Sequence, residues 1–329
     1  MGEFDATSCT EMYRVMVRIR RFEQRIQALF LRDEVYGTTH LCNGQEAVPV
    51  GVASALREGD QVAGTYRGHG HALAQGIGVQ ELMDELLGRA TGINGGRSGS
   101  MNVTSRRHGY LGSYGIVGGS IAAATGAAMA LQRNGGVAVA YFGDGATNQA
   151  YFFECLNFAH VLALPVIFVC ENNVYMEYTR TEHVSGGDIL SRAQSLGVPG
   201  EAVDGMDVWS VRDAAEAAVE RARAGYGPML LEASTYRFVG HSRSDPARYR
   251  PEGELEEWQQ RDPLLRVRER LEGDGVQRDA LDAIDAEESA LVLAAEERGL
   301  EAPWPDPAEL PSEFAAAAVE PVGAEALQR

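Results

Sequence analysis

A chain of 329 residues with 45% hydrophobic side chains is long enough to bury a substantial core, either as one large α/β domain or as such a domain with a helical appendage. Its net charge of −18 at pH 7 argues against a nucleic-acid partner, because neutralising phosphates needs clustered positive charge. All 29 basic residues are Arg, which excludes Schiff-base chemistry, pyridoxal phosphate attachment and the Gly-x-x-x-x-Gly-Lys phosphate loop, each of which needs a lysine.

The start, Met1-Gly2-Glu3-Phe4-Asp5, lacks a basic-then-apolar signal pattern, and no run of about 18 apolar residues follows anywhere. A cytoplasmic protein without a membrane segment is the expectation. Met12, Val15, Met16, Ile19, Phe22, Ile26 and Leu29 recur at helical spacing and predict an amphipathic helix over 10–32. Further helices are predicted over 44–57 and 79–87, on either side of a polar turn at Tyr66-Arg67-Gly68-His69-Gly70. Residues 92–119, rich in Gly, Ser and Asn, are too long for a simple connection and read as a functional loop. A small-residue helix over 121–131 allows close approach of a neighbouring element, in this chain or another.

Val137-Ala138-Val139-Ala140-Tyr141-Phe142 then reads as a buried parallel strand, a helix over 149–162 as its crossover, and Val166-Ile167-Phe168-Val169-Cys170 as the next strand. Val208-Trp209-Ser210-Val211 leads into an Arg/Ala/Glu helix ending at Gly225, and 229–236 makes another strand. A polar loop over 238–252 precedes acidic amphipathic helices near 254–271 and 279–298. Residues 251–329 carry 21 acidic against 7 basic side chains, most of the net charge, and read as a solvated helical surface. Pro303, Pro305, Pro307 and Pro311 break the pattern before a loosely held Ala-rich end. Cys9, Cys42, Cys155 and Cys170 form no Cys-x-x-Cys pair, which argues against zinc ribbons, redox motifs and a secreted disulfide framework.

Two polar motifs sit at the ends of two of these strands, 137–142 and 166–170: Gly143-Asp144-Gly145 and Asn172-Asn173. Ligands in open α/β sheets collect outside the carboxyl ends of strands, so Asp144 and Asn173 can reach one cation. Oxygen ligands and a backbone carbonyl suit Mg²⁺, with phosphate oxygens completing its octahedron. The glycines let the backbone turn sharply and approach phosphate.

The 29-residue separation of Asp144 and Asn173, with Ala146-Thr147-Asn148-Gln149 between them, resembles the thiamine diphosphate motif of the 2-oxo acid dehydrogenases, specifically their alpha subunit. The resemblance extends over roughly residues 10 to 270. It implies a doubly wound α/β fold with a mostly parallel sheet, helices on both faces and flanking terminal helices, over 1–300, followed by a Pro/Ala-rich tail over 301–329. It implies Asp144, Asn173 and the backbone carbonyl of Tyr175 as Mg²⁺ ligands, and Gly145 and Ala146 as backbone contacts of the cofactor. His40, in Thr39-His40-Leu41-Cys42-Asn43-Gly44-Gln45-Glu46-Ala47, is similar to the histidine placed over the thiazolium ring, suited to binding an oxyanion or moving a proton. Tyr66-Arg67-Gly68-His69 is similar to the family's Tyr-Arg-x-His; Arg67 becomes the diphosphate ligand through its planar fork, and Tyr66 adds a hydroxyl. Gly115-Ile116-Val117-Gly118 resembles the stretch lining the aminopyrimidine, with Gly115 giving backbone access and Val117 the apolar wedge. Phe238-Val239-Gly240-His241-Ser242-Arg243-Ser244-Asp245-Pro246 resembles the mobile phosphate loop. There His241 touches the diphosphate and meets a lipoyl group, and Ser242 aligns with a position phosphorylated in mammalian pyruvate members. Asn102 and Met176 depart from the family pattern.

The resemblance further implies a separate beta subunit in an α2β2 heterotetramer, carrying the glutamate that activates the aminopyrimidine. The expected reaction is oxidative decarboxylation of pyruvate, or a related small 2-oxo acid, with acyl transfer to the lipoyl arm of an acyltransferase. Tyr66-Arg67-Gly68-His69-Gly70-His71 resembles acetoin members instead, so acetoin cleavage is the runner-up. A Rossmann nucleotide-binding protein or a non-catalytic interaction subunit are the readings from a different class, although no Gly-x-Gly-x-x-Gly follows a strand.

Overall fold

The computed structural model describes residues 6–309, Arg243 excepted. The elements run α1 (Ala6–Leu31), α2 (Ala47–Ser54), β1 (Gln61–Thr65), α3 (His69–Ala74), α4 (Val79–Leu86), β2 (Tyr110–Tyr114), α5 (Gly119–Leu131), β3 (Ala138–Gly143), α6 (Ala150–Val161), β4 (Val166–Asn172), β5 (Tyr175–Met176), β6 (Thr179–Arg180), α7 (Ile189–Ser195), β7 (Gly200–Asp204), α8 (Val208–Arg223), β8 (Met229–Ser234), α9 (Glu254–Gln259), α10 (Pro263–Gly273) and α11 (Arg278–Glu301). Six strands pair in the order β2-β1-β3-β4-β8-β7, every pairing parallel. This is the expected α/β fold, and β3 and β4 lie at its centre.

Alternation along the central strands builds a core on each face. Val139, Tyr141, Ile167, Val169, Leu231 and Ala233 point into one cluster, shared with α1, α2, α8, α10 and α11. Ala138, Ala140, Phe142, Val166, Phe168, Cys170 and Leu230 point into the other, under α5, α6 and α7. Burial of side chains such as Phe142 and Phe168 contributes about 1.5–3 kcal/mol each. The ends of β3 and β4 are thereby rigid where Asp144 and Asn173 emerge.

Several sequence expectations change. The functional loop over 92–119 contains β2, and β1 precedes the Tyr66 turn; both strands escape pattern reading because QVAGT and YLGSY are short and interrupted by glycine. Gly64 is there for room, since a Cβ on it would lie 2.2 Å from the Tyr110 hydroxyl. The helix expected from residue 44 starts at Ala47, because Gly44 is left-handed (φ +93) and a Cβ would lie 2.5 Å from the Tyr236 carbonyl. Val208 to Val211 form the first turn of α8, and the unanticipated strand ahead of them is β7, an exposed edge. Asp262-Pro263 splits the helix expected over 254–271: Pro263 cannot continue α9, and Asp262 caps α10 by accepting from the Leu264 amide.

The acidic carboxyl-terminal region is no solvated surface where α11 is concerned. Arg14 and Arg18 of α1 meet Glu288 at 3.1 and 2.7 Å, Arg21 meets Asp285 at 2.6 Å, and Arg25 and Arg32 both pair with Glu296. Glu288 and Glu296 are buried, so these carboxylates need their arginines. Among the described residues no helix is long and apolar enough to cross a membrane. The Ala-rich end beyond residue 309, including Pro311, lies outside the described residues.

Candidate functional site

A cavity of about 430 Å³ opens at the carboxyl ends of β1, β3 and β4. His40, Tyr66, Arg67, Gly115, Val117, Asp144, Gly145, Ala146, Asn173, Tyr175 and His241 all line it, although they come from six separate chain segments. Met101, beside Asn102, and Met176 also form its wall. Asn102 itself is exposed, its side-chain oxygen 4.0 Å from where a Cβ on Gly115 would sit.

Asp144 leaves β3 into a single 3₁₀ turn, Asp144–Asn148, pinned by the Thr147 hydroxyl donating to the Asp144 carbonyl at 2.7 Å. Its carboxylate is buried and accepts a hydrogen bond from the Thr181 hydroxyl. Burial pushes this carboxyl above its ordinary range, against the lowering effect of Thr181, so the site gains from a cation placed there. Asn173 is buried too, and its Oδ1 has no hydrogen-bond partner. Between Asn173 and Tyr175 the backbone of Val174 is left-handed at φ +73, a strained state for a β-branched residue. The Val174 carbonyl accepts from the Thr181 amide at 2.9 Å, which fixes the turn. A buried carboxylate, an orphaned amide oxygen and a constrained backbone turn could hold a hard divalent cation. Among the described residues no trio of His, Cys, Asp or Glu gathers for a softer one.

The positive charge at the cavity comes from Arg67 and Arg237. Arg67 is buried and its fork is engaged, donating to the Leu41 carbonyl at 2.6 Å and to the His241 carbonyl at 2.9 Å. Arg237, which sequence reasoning missed, is 1% exposed and donates to the Glu177 carbonyl at 3.0 Å, while its Nε and Nη1 have no partner. Burial, with the repulsion of Arg67 and Arg250, pushes Arg237 down to about 10, which still leaves it charged at neutral pH. Unpaired guanidinium donors in the same cavity as Asp144 and Asn173 suit a diphosphate. The available signal was position: Arg237 follows the end of β8, the strand next to β4.

His40 and His241 face one another with ring centroids 4.9 Å apart, and the Tyr66 ring lies 4.5 Å from His40. Burial, then Arg67 and other cations, lowers His40 to about 3 and His241 to about 4. Both imidazoles are therefore neutral at pH 7, able to accept a proton or offer an N–H. The loop carrying His241 is braced by Asp245, whose carboxylate accepts from the His241 amide at 2.7 Å, the Ala247 amide at 2.8 Å and the Tyr249 hydroxyl at 2.9 Å. Ser242 and Ser244 meet through their hydroxyls at 3.2 Å. At the cavity mouth Ile116 is 69% and Val117 42% exposed, an apolar wall left open by the described residues.

The family described as Dehydrogenase E1 component matches residues 14–308. The alpha subunit of the pyruvate dehydrogenase E1 component of Rhizobium meliloti (strain 1021) is 42% identical over 94% of this chain and 90% of its own length. Its counterpart in Zymomonas mobilis is 43% identical over 93% of this chain and 88% of its own. The alpha subunit of the acetoin:2,6-dichlorophenolindophenol oxidoreductase of Cupriavidus necator is 40% identical over 93% of both chains. These matches set aside a nicotinamide-binding Rossmann protein. With the cavity built as it is at the carboxyl ends of a parallel sheet, the chain belongs to the dehydrogenase E1 component family, whose members use thiamine diphosphate.

Proposed function

We propose that this chain is the alpha subunit of a thiamine diphosphate-dependent 2-oxo acid dehydrogenase, that pyruvate is its substrate, and that it works with a beta subunit in an α2β2 heterotetramer. The observation that carries the reading is the meeting of Asp144, the unpartnered Asn173 Oδ1 and the spare donors of Arg237 in one cavity. Asp144, Asn173 and the Tyr175 carbonyl would hold Mg²⁺. Arg237, through its two unpartnered nitrogens, and Arg67, Tyr66 and the backbone at Gly145 and Ala146 would hold the diphosphate. Gly115 and Val117 line the aminopyrimidine.

When bound, thiamine diphosphate supplies the electron sink for loss of carbon dioxide. The chain's own residues orient and protect. Neutral His40 offers an N–H to the developing oxyanion or takes up a proton, and His241 does the same on the side where a lipoyl arm of an acyltransferase partner enters. A cytoplasmic location belongs to the same proposal, supported by cysteines without motif spacing.

The beta subunit is supported by the exposed apolar surface that adjoins the cavity mouth. Besides Ile116 and Val117, it includes Met129 of α5 and Tyr151, Phe153 and Phe158 of α6, all between 39 and 46% exposed. Exposed apolar side chains gathered on two helices that pack together suit burial against a permanent partner.

Acetoin cleavage is a second reading. Acetoin oxidoreductase alpha subunits are among the relatives, that of Bacillus subtilis being 44% identical over 77% of each chain. The deciding experiment assembles the chain with its beta partner and measures Mg²⁺-dependent thiamine diphosphate binding, then turnover of pyruvate, 2-oxoisovalerate and acetoin. Decarboxylation of pyruvate is expected. Turnover of acetoin alone would replace the substrate, and absence of cofactor binding would reject the proposal altogether.

A further inference from the structure

His40 has no partner for its Nδ1, so no hydrogen bond from that atom holds its direction. The backbone after it is held at four consecutive residues. The Leu41 carbonyl accepts from Arg67 at 2.6 Å, the Cys42 amide donates to Glu23 at 2.9 Å, the Asn43 carbonyl accepts from the Phe238 amide at 2.8 Å, and the Gly44 amide donates to the Glu46 carboxylate at 3.0 Å. Two of these ties run back to α1. Glu23 is fully buried, and its second oxygen accepts from His69 Nδ1 at 2.8 Å; the other ring nitrogen of His69 meets the Ser100 hydroxyl at 2.8 Å. His69 holds the Glu23 carboxyl below its ordinary value despite burial, so Glu23 is an anion. Arg20 grips Glu46 along one edge, at 2.9 Å from Nη2, and Asp262 along the other, at 2.9 and 3.1 Å. Its guanidinium also lies 5.3 Å from the ring of Phe238, three residues before His241.

We propose that Arg20 and Glu23, three residues apart on one face of α1, are positioning residues that hold residues 41–44 so that His40 faces the cavity. Neither lines the cavity. They act through the Cys42 and Gly44 amides, and Arg20 also steadies the Phe238 end of the His241 loop. The inference rests on the functional reading above, in which His40 takes part in the reaction.

The same helix supplies the control. Arg18 and Arg21 make carboxylate pairs of the same kind, with Glu288 and Asp285 of α11, and touch neither loop. In the complex with the beta subunit, Arg20→Gln, Glu23→Gln and Asp262→Asn are compared with Arg18→Gln and Arg21→Gln by hydrogen exchange, thermal melting and steady-state kinetics. Exchange of the Cys42 amide in Glu23→Gln, and of the Gly44 amide in Arg20→Gln, is expected to quicken by about tenfold or more. Because sub-ångström misplacement of a reacting group is costly, kcat should fall roughly 10- to 100-fold while KM and cofactor affinity hold. Asp262→Asn, which keeps the cap of α10, should move both readouts less and in the same direction, and it serves if Glu23→Gln does not fold. The controls should melt earlier with unchanged kcat and unchanged exchange at Cys42 and Gly44. The inference is overturned if the Arg20 and Glu23 variants behave like the controls, or if exchange quickens with kcat intact. Should the unaltered complex bind no thiamine diphosphate, the functional reading fails instead, and exchange, which needs no cofactor, still decides whether the two residues hold the loop.

Discussion

The interface of α1 with α11 and the cavity at the sheet's carboxyl edge are both rich in buried charge, yet they treat it oppositely. Along α1 and just past its end, Arg14, Arg18, Arg21, Arg25 and Arg32 each find a carboxylate on α11, and the buried Glu288 and Glu296 have two arginines apiece. In the cavity, Asn173 Oδ1, His40 Nδ1 and two nitrogens of Arg237 have none. A buried polar atom without a partner costs about 1–3 kcal/mol, so a chain keeps several together only where something from outside completes them. Paired charge marks a joint between helices; unpartnered polar atoms mark a berth.

The largest test of that contrast is at the proposed cation ligands. Asp144→Ala and Asn173→Ala should each weaken Mg²⁺-dependent thiamine diphosphate binding by more than about 100-fold in calorimetry of the complex, since loss of even a supporting group around a metal costs roughly 10- to 100-fold. Unchanged affinity in Asp144→Ala would remove the metal assignment. His40→Ala should keep the cofactor and lower kcat by roughly 10²- to 10⁴-fold, the usual loss of a proton-handling group.

Arg237→Gln should weaken cofactor binding by about 10- to 100-fold, the worth of a hydrogen bond to a charged group, with little effect on kcat at saturation. Arg18→Ala, on the paired side, should lower unfolding free energy by about 1–2 kcal/mol, less than for a fully isolated buried pair because Arg14 still reaches Glu288, and leave cofactor affinity alone.

The smallest effect is in pH. His40 and His241 fall in the folded chain from about 6.5 to about 3 and about 4, so at pH 5 the unfolded chain binds more protons than the folded one. The stability they contribute is present above pH 6.5 and drains as pH falls toward 4. Replacing His40 with Gln should flatten the slope of unfolding free energy against pH in that window for the cofactor-free protein. An unaltered slope would mean that His40 titrates normally.

How much of this was readable beforehand follows from how local each signal is. Asp144 and Asn173 sit directly after long apolar strands, so their meeting was written in two short stretches and a strand-end rule. Arg237 carried no such mark among 29 arginines: its importance comes from the neighbours it lacks, which only three dimensions reveal. β1 and β2 hide because each is interrupted by a glycine, Gly64 making way for the Tyr110 and His71 side chains and Gly112 taking a positive φ of 153°, and that breaks the apolar run on which strand recognition depends. The arginines of α1 and the acids of α11 are both visible as charge, but more than 250 residues separate partners such as Arg18 and Glu288, and nothing local joins them.

Val174 shows where in the protein's history the cost of order falls. A glycine would take its left-handed backbone freely, and valine takes it at about 1–3 kcal/mol. That strain is met once, when the chain folds, and the branched side chain then denies the turn between Asn173 and Tyr175 its alternative shapes. A glycine there would give a sturdier polypeptide and a floppier receptor, one that had to be organised anew by every arriving ion.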